Sequence, residues 1–234
     1  MSVIVTTISG KQHRLQYLRE SLTALTRTIG VEDSTIIFTV EPNYAKDECI
    51  NIIADCKSFF KCVKVIINDE VKGIAENTFL ALSKGFELAD RVICIEEDVL
   101  VSKDCLVFFN TMLDKFDDDK LICAINGSAL NGRQIKPGAA NKIAIRKQFA
   151  PLGWAIWRDR WEEVKRTFCT DYRGWDFSFQ TWRRNNDLKV VFPLLSRCLH
   201  IGTHGEHNKP GKVSEMIYRE TEFFDINANE KVWI

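Results

Sequence analysis

The stretch Val92-Ile93-Cys94-Ile95-Glu96-Glu97-Asp98 decides the fold. Four apolar residues without alternation read as a strand buried on both faces, and such strands belong to parallel sheets covered by helices. Outward from it, the preceding chain alternates. Residues 2–7 read as a strand. Residues 15–29 read as a helix, with Leu15, Leu18, Leu22, Leu25 and Ile29 at helical spacing. Strands over 35–40 and 62–67 flank a helix over 47–60. A helix over 74–88, with Ala75, Phe79, Leu82 and Phe86 on one face, leads into the strand at 91–95. On the other side, Ser102 suits the N-cap of a helix running to about Phe116, followed by a strand at 121–125. This alternation predicts an α/β fold built of βαβ units around a mainly parallel sheet.

Size and composition bound the rest. The chain has 234 residues, 45% hydrophobic, enough for one substantial core. Its 32 basic and 32 acidic residues cancel, so the global basic excess of a nucleic-acid-binding protein is absent. None of the eight cysteines forms a Cys-x-x-Cys pair, and several lie in apolar runs, so free buried thiols are expected. There is no signal peptide and no apolar run long enough to span a bilayer. The expected compartment is the cytoplasm, and the Met1-Ser2-Val3 start favours this over a catalytic fragment of a membrane-anchored parent.

The acidic triplet carries the chemistry. Adjacent carboxylates at the end of a buried strand repel one another and resist desolvation. Mg²⁺ and Mn²⁺ relieve this because they take oxygen ligands, and Mg²⁺ usually completes its shell with phosphate oxygens and water. The competing reading is a solvated acidic turn, with Asp98 near the positive end of the next helix. In open α/β sheets ligands bind beyond the carboxyl ends of strands, where Thr6-Thr7, Glu41, Asn68-Asp69 and the triplet all fall. No Gly-x-Gly-x-x-Gly follows the first strand and no Gly-Lys-Ser/Thr loop occurs. A dinucleotide fold and a P-loop NTPase therefore have no support.

After about Asn126 the alternation stops. Residues 131–141 read as a loop, 143–149 and a Trp-rich stretch over 154–182 follow, 190–192 read as a strand, and 202–211 as a mobile loop. Trp154 follows Pro-Leu-Gly in an expected loop and is assigned to ligand contact, chiefly with an acceptor. Trp157 and Trp161, four apart, are expected to share a helix face in the core. Gly202 and Gly205 interrupt His200, His204 and His207, so no helix aligns them as in a zinc site. The segment is expected to be a polar loop, or a lid in which His207 or His204 touches phosphate or metal. This half reads as an elaboration closing a site on the sheet.

Four stretches in order carry a family resemblance. They are Lys72-Gly73-Ile74-Ala75-Glu76-Asn77; Val92 to Asp98; Phe149-Ala150-Pro151-Leu152-Gly153-Trp154 with Gly174-Trp175-Asp176 and Trp182-Arg183-Arg184; and Phe192-Pro193-Leu194-Leu195-Ser196-Arg197 with Ile201-Gly202 and Gly205. The chain thereby resembles GT-A fold glycosyltransferases, most closely the N-acetylglucosaminyltransferase I family, over about residues 2–225. The resemblance implies a single GT-A (Rossmann-like) domain over 1–234: a mainly parallel central sheet flanked by helices, with a smaller C-terminal acceptor-side elaboration. Residues 1–126 would bind the nucleotide sugar, and 127–234 would bind the acceptor and carry catalysis.

The resemblance also implies roles. Asp98 would bind Mn²⁺ or Mg²⁺ directly, in the family's version of the DxD motif. Glu97 would contact the ribose or sugar, with Glu96 supporting it. Glu41 would read the uracil edge. Asn77 stands where the family has a histidine near the base. Thr7 and Arg14 would be further donor contacts, and Trp175 would pack beside the donor sugar. Asp176 matches the catalytic base, which an acceptor hydroxyl needs to become a competent nucleophile. Its alternative is a carboxylate at the N-terminus of a helix over 177–184. The implied reaction is metal-dependent, inverting transfer from a nucleotide sugar, a UDP-sugar by preference, to a hydroxyl of a glycan, glycoconjugate or protein. Two other readings are a transferase acting on a hydroxylated base in DNA, opposed by zero net charge, and an inactive GT-A sugar-binding module, opposed by the presence of both Asp98 and Asp176.

Overall fold

Period-two burial organises the sheet. In a computed structural model, which describes residues 2–129, 141–169, 171 and 173–202, strand β1 (Val3–Ile8) is buried throughout. Its Ile4 and Ile8 face one helical layer, and its Val3 and Val5 face the other. The same division holds in β2 (Thr35–Val40) and β4 (Arg91–Cys94). Against the first face pack α1 (Leu15–Leu25), α2 (Lys46–Cys56) and α4 (Cys105–Lys115), through Leu18, Leu22, Ile52, Phe108 and Phe109. Against the second pack α3 (Gly73–Phe86), α5 (Arg158–Val164) and α6 (Trp175–Asn185), through Leu82, Phe86, Trp161 and Phe179. Each such side chain contributes roughly 1.5–3 kcal/mol by leaving water. Helix α3 lies close to the sheet because Gly85 has no side chain: a Cβ there would come within 2.8 Å of Val92 and 2.9 Å of Val5.

The eight-stranded sheet runs β3-β2-β1-β4-β8-β6-β9-β7. It contains β3 (Cys62–Ile67), β6 (Ile122–Asn126), β7 (Ile143–Arg146), β8 (Trp154–Trp157) and β9 (Lys189–Pro193). The first four positions pair in parallel. Strand β8 then enters antiparallel to both β4 and β6, β9 continues parallel to β6, and β7 closes the edge antiparallel. The sheet is mainly parallel, as expected. A separate two-stranded ribbon, absent from the sequence reading, pairs β5 (Val99–Val101) with β10 (Cys198–His200).

Several local expectations are corrected. Asp104, not Ser102, holds the N-cap position of α4, and the Ser102 hydroxyl hydrogen-bonds Asp104 instead. The loop expected at Trp154 is β8, because this apolar tetrapeptide finds two sheet neighbours at once. Trp157 ends that strand and Trp161 lies in α5, so they share no helix face and join opposite core layers. The eight cysteines are free, but Cys62 and Cys169 are exposed rather than buried. Among the described residues no helix is long and apolar enough to cross a membrane. The loop expected at 131–141 and the one at 202–211 lie almost entirely outside the described residues.

Candidate functional site

The parallel strands deliver their following residues to one cleft of about 600 Å³ at the carboxyl edge of the sheet. Thr7, Arg14, Glu41, Asn77, Glu96, Glu97, Asp98, Trp175 and Asp176 all line it. Thr7 is still inside β1, and Glu41 follows β2 directly. Asn77 lies on the first turns of α3 and donates from Nδ2 to the Thr39 carbonyl at 3.2 Å while accepting from Asn68 Nδ2 at 3.1 Å. Glu41 is buried. Its Oε2 accepts the Lys72 backbone N–H at 2.9 Å, whereas its buried Oε1 has no hydrogen-bond partner among the described residues. The loop after β1 can pass this close because Gly10 has φ 64° and no Cβ to strike the Glu41 carbonyl.

The acidic triplet turns between β4 and β5, and its members divide. Glu97 is fixed by the Ser9 backbone N–H at 3.0 Å and by Arg14 Nε at 2.8 Å. Arg14 Nη2 also donates to Asp98 Oδ2 at 2.7 Å, so one guanidinium bridges two carboxylates. His200 Nε2 meets the same Asp98 Oδ2 at 3.0 Å. Asp98 Oδ1 is buried and, among the described residues, without a hydrogen-bond partner.

Electrostatics follow the geometry. Burial pushes the half-buried Glu96 carboxyl up to about 8, reinforced by Asp98 and opposed by Arg14. Burial also raises Glu97 against the pull of Arg14 and Ser9. For Asp98 burial works upward too, but His200 and Arg14 outweigh it and hold the carboxyl below its ordinary value. Burial lowers the Arg14 value, and Asp98 with Glu97 more than restores it. Asp98 is thus the member of the triplet whose carboxyl is held below its ordinary value.

Asp176 sits in the first turn of α6, half-buried at the cleft wall, and Trp175 opens that helix. The helix begins two residues before the predicted start, so Asp176 is inside it. Trp154 does not line the cleft. It is fully buried, stacked on Trp175 at 5.5 Å and set edge-on to Phe149 at 5.1 Å. The acceptor contact assigned to it is corrected: it backs Trp175 instead of meeting a ligand. His207 and His204 lie outside the described residues. His200, the member of the trio not favoured in the sequence, lies beside Asp98. Its place follows from the β5–β10 register, His200 opposite Val99, which three-residue strands do not announce.

The model of the GNT-I family matches residues 73–215, more than half of the chain. The chain belongs to the GNT-I family. An Arabidopsis thaliana relative, alpha-1,3-mannosyl-glycoprotein 2-beta-N-acetylglucosaminyltransferase, is 28% identical over 117 residues. That match covers 49% of this chain and 26% of the relative, so the chain spans about a quarter of the relative's length. Among solved structures, S. aureus TarS 1-349 in complex with UDP-GlcNAc superposes with a TM-score of 0.63 at 13% identity, covering 94% of this chain and 64% of that one. The mannosyltransferase PcManGT from Pyrobaculum calidifontis, in complex with GDP-Man and Mn²⁺, gives 0.62 at 16% identity, covering 93% and 61%. At these identities the likeness establishes the GT-A fold.

Proposed function

We propose that the chain is a metal-dependent, inverting glycosyltransferase that uses a UDP-sugar and acts on a hydroxyl of a glycan, glycoconjugate or protein. The observation that carries this reading is Asp98 Oδ1, a buried carboxylate oxygen with no hydrogen-bond partner among the described residues, in a cleft that also contains Asp176. An orphaned carboxylate oxygen of this kind costs free energy unless a ligand completes it. The oxygen-rich donor set suits Mg²⁺ or Mn²⁺. A Cβ at Gly202 would overlap Asp98 Oδ2, so a glycine lets the backbone lie this close to the carboxylate.

Asp98 would hold the cation. When bound, that cation supplies charge neutralisation of the diphosphate leaving group. The remaining steps belong to the chain. Glu41 Oε1 can accept the ring N–H of a uracil, with Asn77 on the neighbouring wall. Glu97, held by Ser9 and Arg14, is oriented toward the ribose and sugar, and Thr7 lines the same side. Trp175 gives the sugar an apolar face. Asp176 takes the acceptor proton as the new bond forms, and a single displacement opposite the diphosphate inverts the anomeric centre. Residues 1–126 supply most of the donor side, and 127–234 the base and acceptor side.

Calorimetry of UDP with Mn²⁺ and with a chelator tests the reading. Binding should tighten with Mn²⁺ in the native chain and lose that gain in Asp98→Asn. Equal affinity in chelator would refute metal dependence.

A further inference from the structure

We propose that Phe177 is an acceptor-binding residue: a braced aromatic platform at the cleft mouth that stacks on the apolar face of a pyranose ring and so selects a sugar acceptor. This rests on the reading above that Asp176 takes the proton of the acceptor hydroxyl.

The first turn of α6 is graded from core to solvent. Trp175 is buried against Trp154 and Phe168, Asp176 is half-buried, and Phe177 is 42% exposed. All three line the cleft. A donor held at the buried Glu97 and Asp98 fills the deep end, so a molecule that offers its hydroxyl to Asp176 enters from the mouth. Its body then lies beside the next residue outward, Phe177.

The ring is braced from one side. Arg173 Cζ lies 4.5 Å from its centroid, a cation–π contact. Asp171 fixes that guanidinium, its Oδ1 accepting from Arg173 Nε at 2.9 Å. The Asp171 backbone N–H donates to Ser178 Oγ at 2.9 Å, so the brace is anchored on α6 itself. Gly174 joins brace to helix with φ 145°, and a Cβ there would come within 2.7 Å of Asp176 Oδ1, so both the backbone and the base favour glycine. Arg173 covers one side of the ring while the ring still borders the cleft, and Pro151 and Leu152 add apolar surface to the same cleft.

This arrangement matches one ligand chemistry. A pyranose carries a flat patch of C–H bonds on one face and a rim of hydroxyls. The C–H patch suits the negative face of an aromatic ring, and the rim suits the carboxylate and guanidinium beside it. An alkyl chain would need a longer apolar trough. A Ser or Thr of a peptide would bring polar backbone against the ring. Single exposed apolar side chains are ordinary on protein surfaces. Phe177 differs in being braced, inside a cleft and next to the proposed base.

The test is saturation-transfer nuclear magnetic resonance on the full chain with UDP and Mg²⁺. The probes are the methyl pyranosides of glucose, galactose and mannose. With the protein's aromatic protons irradiated, the ring C–H protons of at least one probe should be saturated. Phe177→Ala and Phe177→Leu should each weaken binding of that probe by about tenfold, and Phe177→Tyr should keep it. Thermal melts check folding, and if Phe177→Ala melts early the Leu and Tyr variants carry the comparison. Affinity retained in Phe177→Leu, or lost equally in Phe177→Tyr, overturns stacking. A native chain that binds UDP by calorimetry but saturates none of the pyranosides overturns this proposal and leaves the donor reading standing. A native chain that does not bind UDP overturns that reading, and this proposal with it.

Discussion

Asp98 Oδ2 is shared by Arg14 and His200, while the buried Oδ1 has no hydrogen-bond partner among the described residues. The acids at strand ends were readable in the sequence because a carboxylate after a fully apolar run has few structural uses. Glu41 and the triplet were legible for that reason. Asp176 was legible only through the family motif, since a carboxylate in a helix's first turn is common for helix-dipole reasons alone. Its role separates from that background by kinetics: Asp176→Asn should retain UDP binding by calorimetry and lose roughly 10²- to 10⁴-fold in transfer rate. Residue environment also sets an alkaline limit. Burial pushes the Cys49 and Cys123 thiols up to about 12 from an ordinary value near 9. The unfolded chain releases those protons first, so stability is full below about pH 9 and declines as pH rises toward 12. Thermal melts should show a shallower decline in a Cys49→Ala, Cys123→Ala variant.

At the scale of elements, the periodic helices and the long apolar strands were found by pattern, and the short ones were not. Strands β5 and β10 have three residues each, too few for alternation to register, and Trp154-Ala155-Ile156-Trp157 has no alternation at all. What makes β8 a strand is the pair of open edges offered by β4 and β6, a tertiary fact. The β5–β10 ribbon matters most for chemistry, because it sets the distance between His200 and Asp98. Its exit is guarded by Gly202. Gly202→Ala should therefore shift Asp98, already pinned by Arg14 and His200, and abolish the Mn²⁺-dependent gain in UDP affinity. The far-ultraviolet circular dichroism of that variant should stay native, since the ribbon lies outside the main sheet.

The whole molecule is held by one sheet whose strands do not follow chain order. The family motifs foretold a second half that elaborates the first, yet no pattern announced that β8 would be inserted between β4 and β6. Residue 126 therefore marks no seam in the architecture, because β8 lies between β4 and β6. A fragment of residues 1–126 should lack a cooperative thermal transition and aggregate, because β4 and β6 would each present an unpaired inner edge. Co-expression with residues 127–234 should restore solubility if the two pieces find each other. The same insertion bears on synthesis at the ribosome. The sheet's central gap stays open until residues 154–157 have left the exit tunnel, so the acidic triplet beside β4 is made long before its supporting strand can lock. The nascent chain must carry that exposed edge through the interval, which gives a chaperone a defined moment and a defined strand to shield.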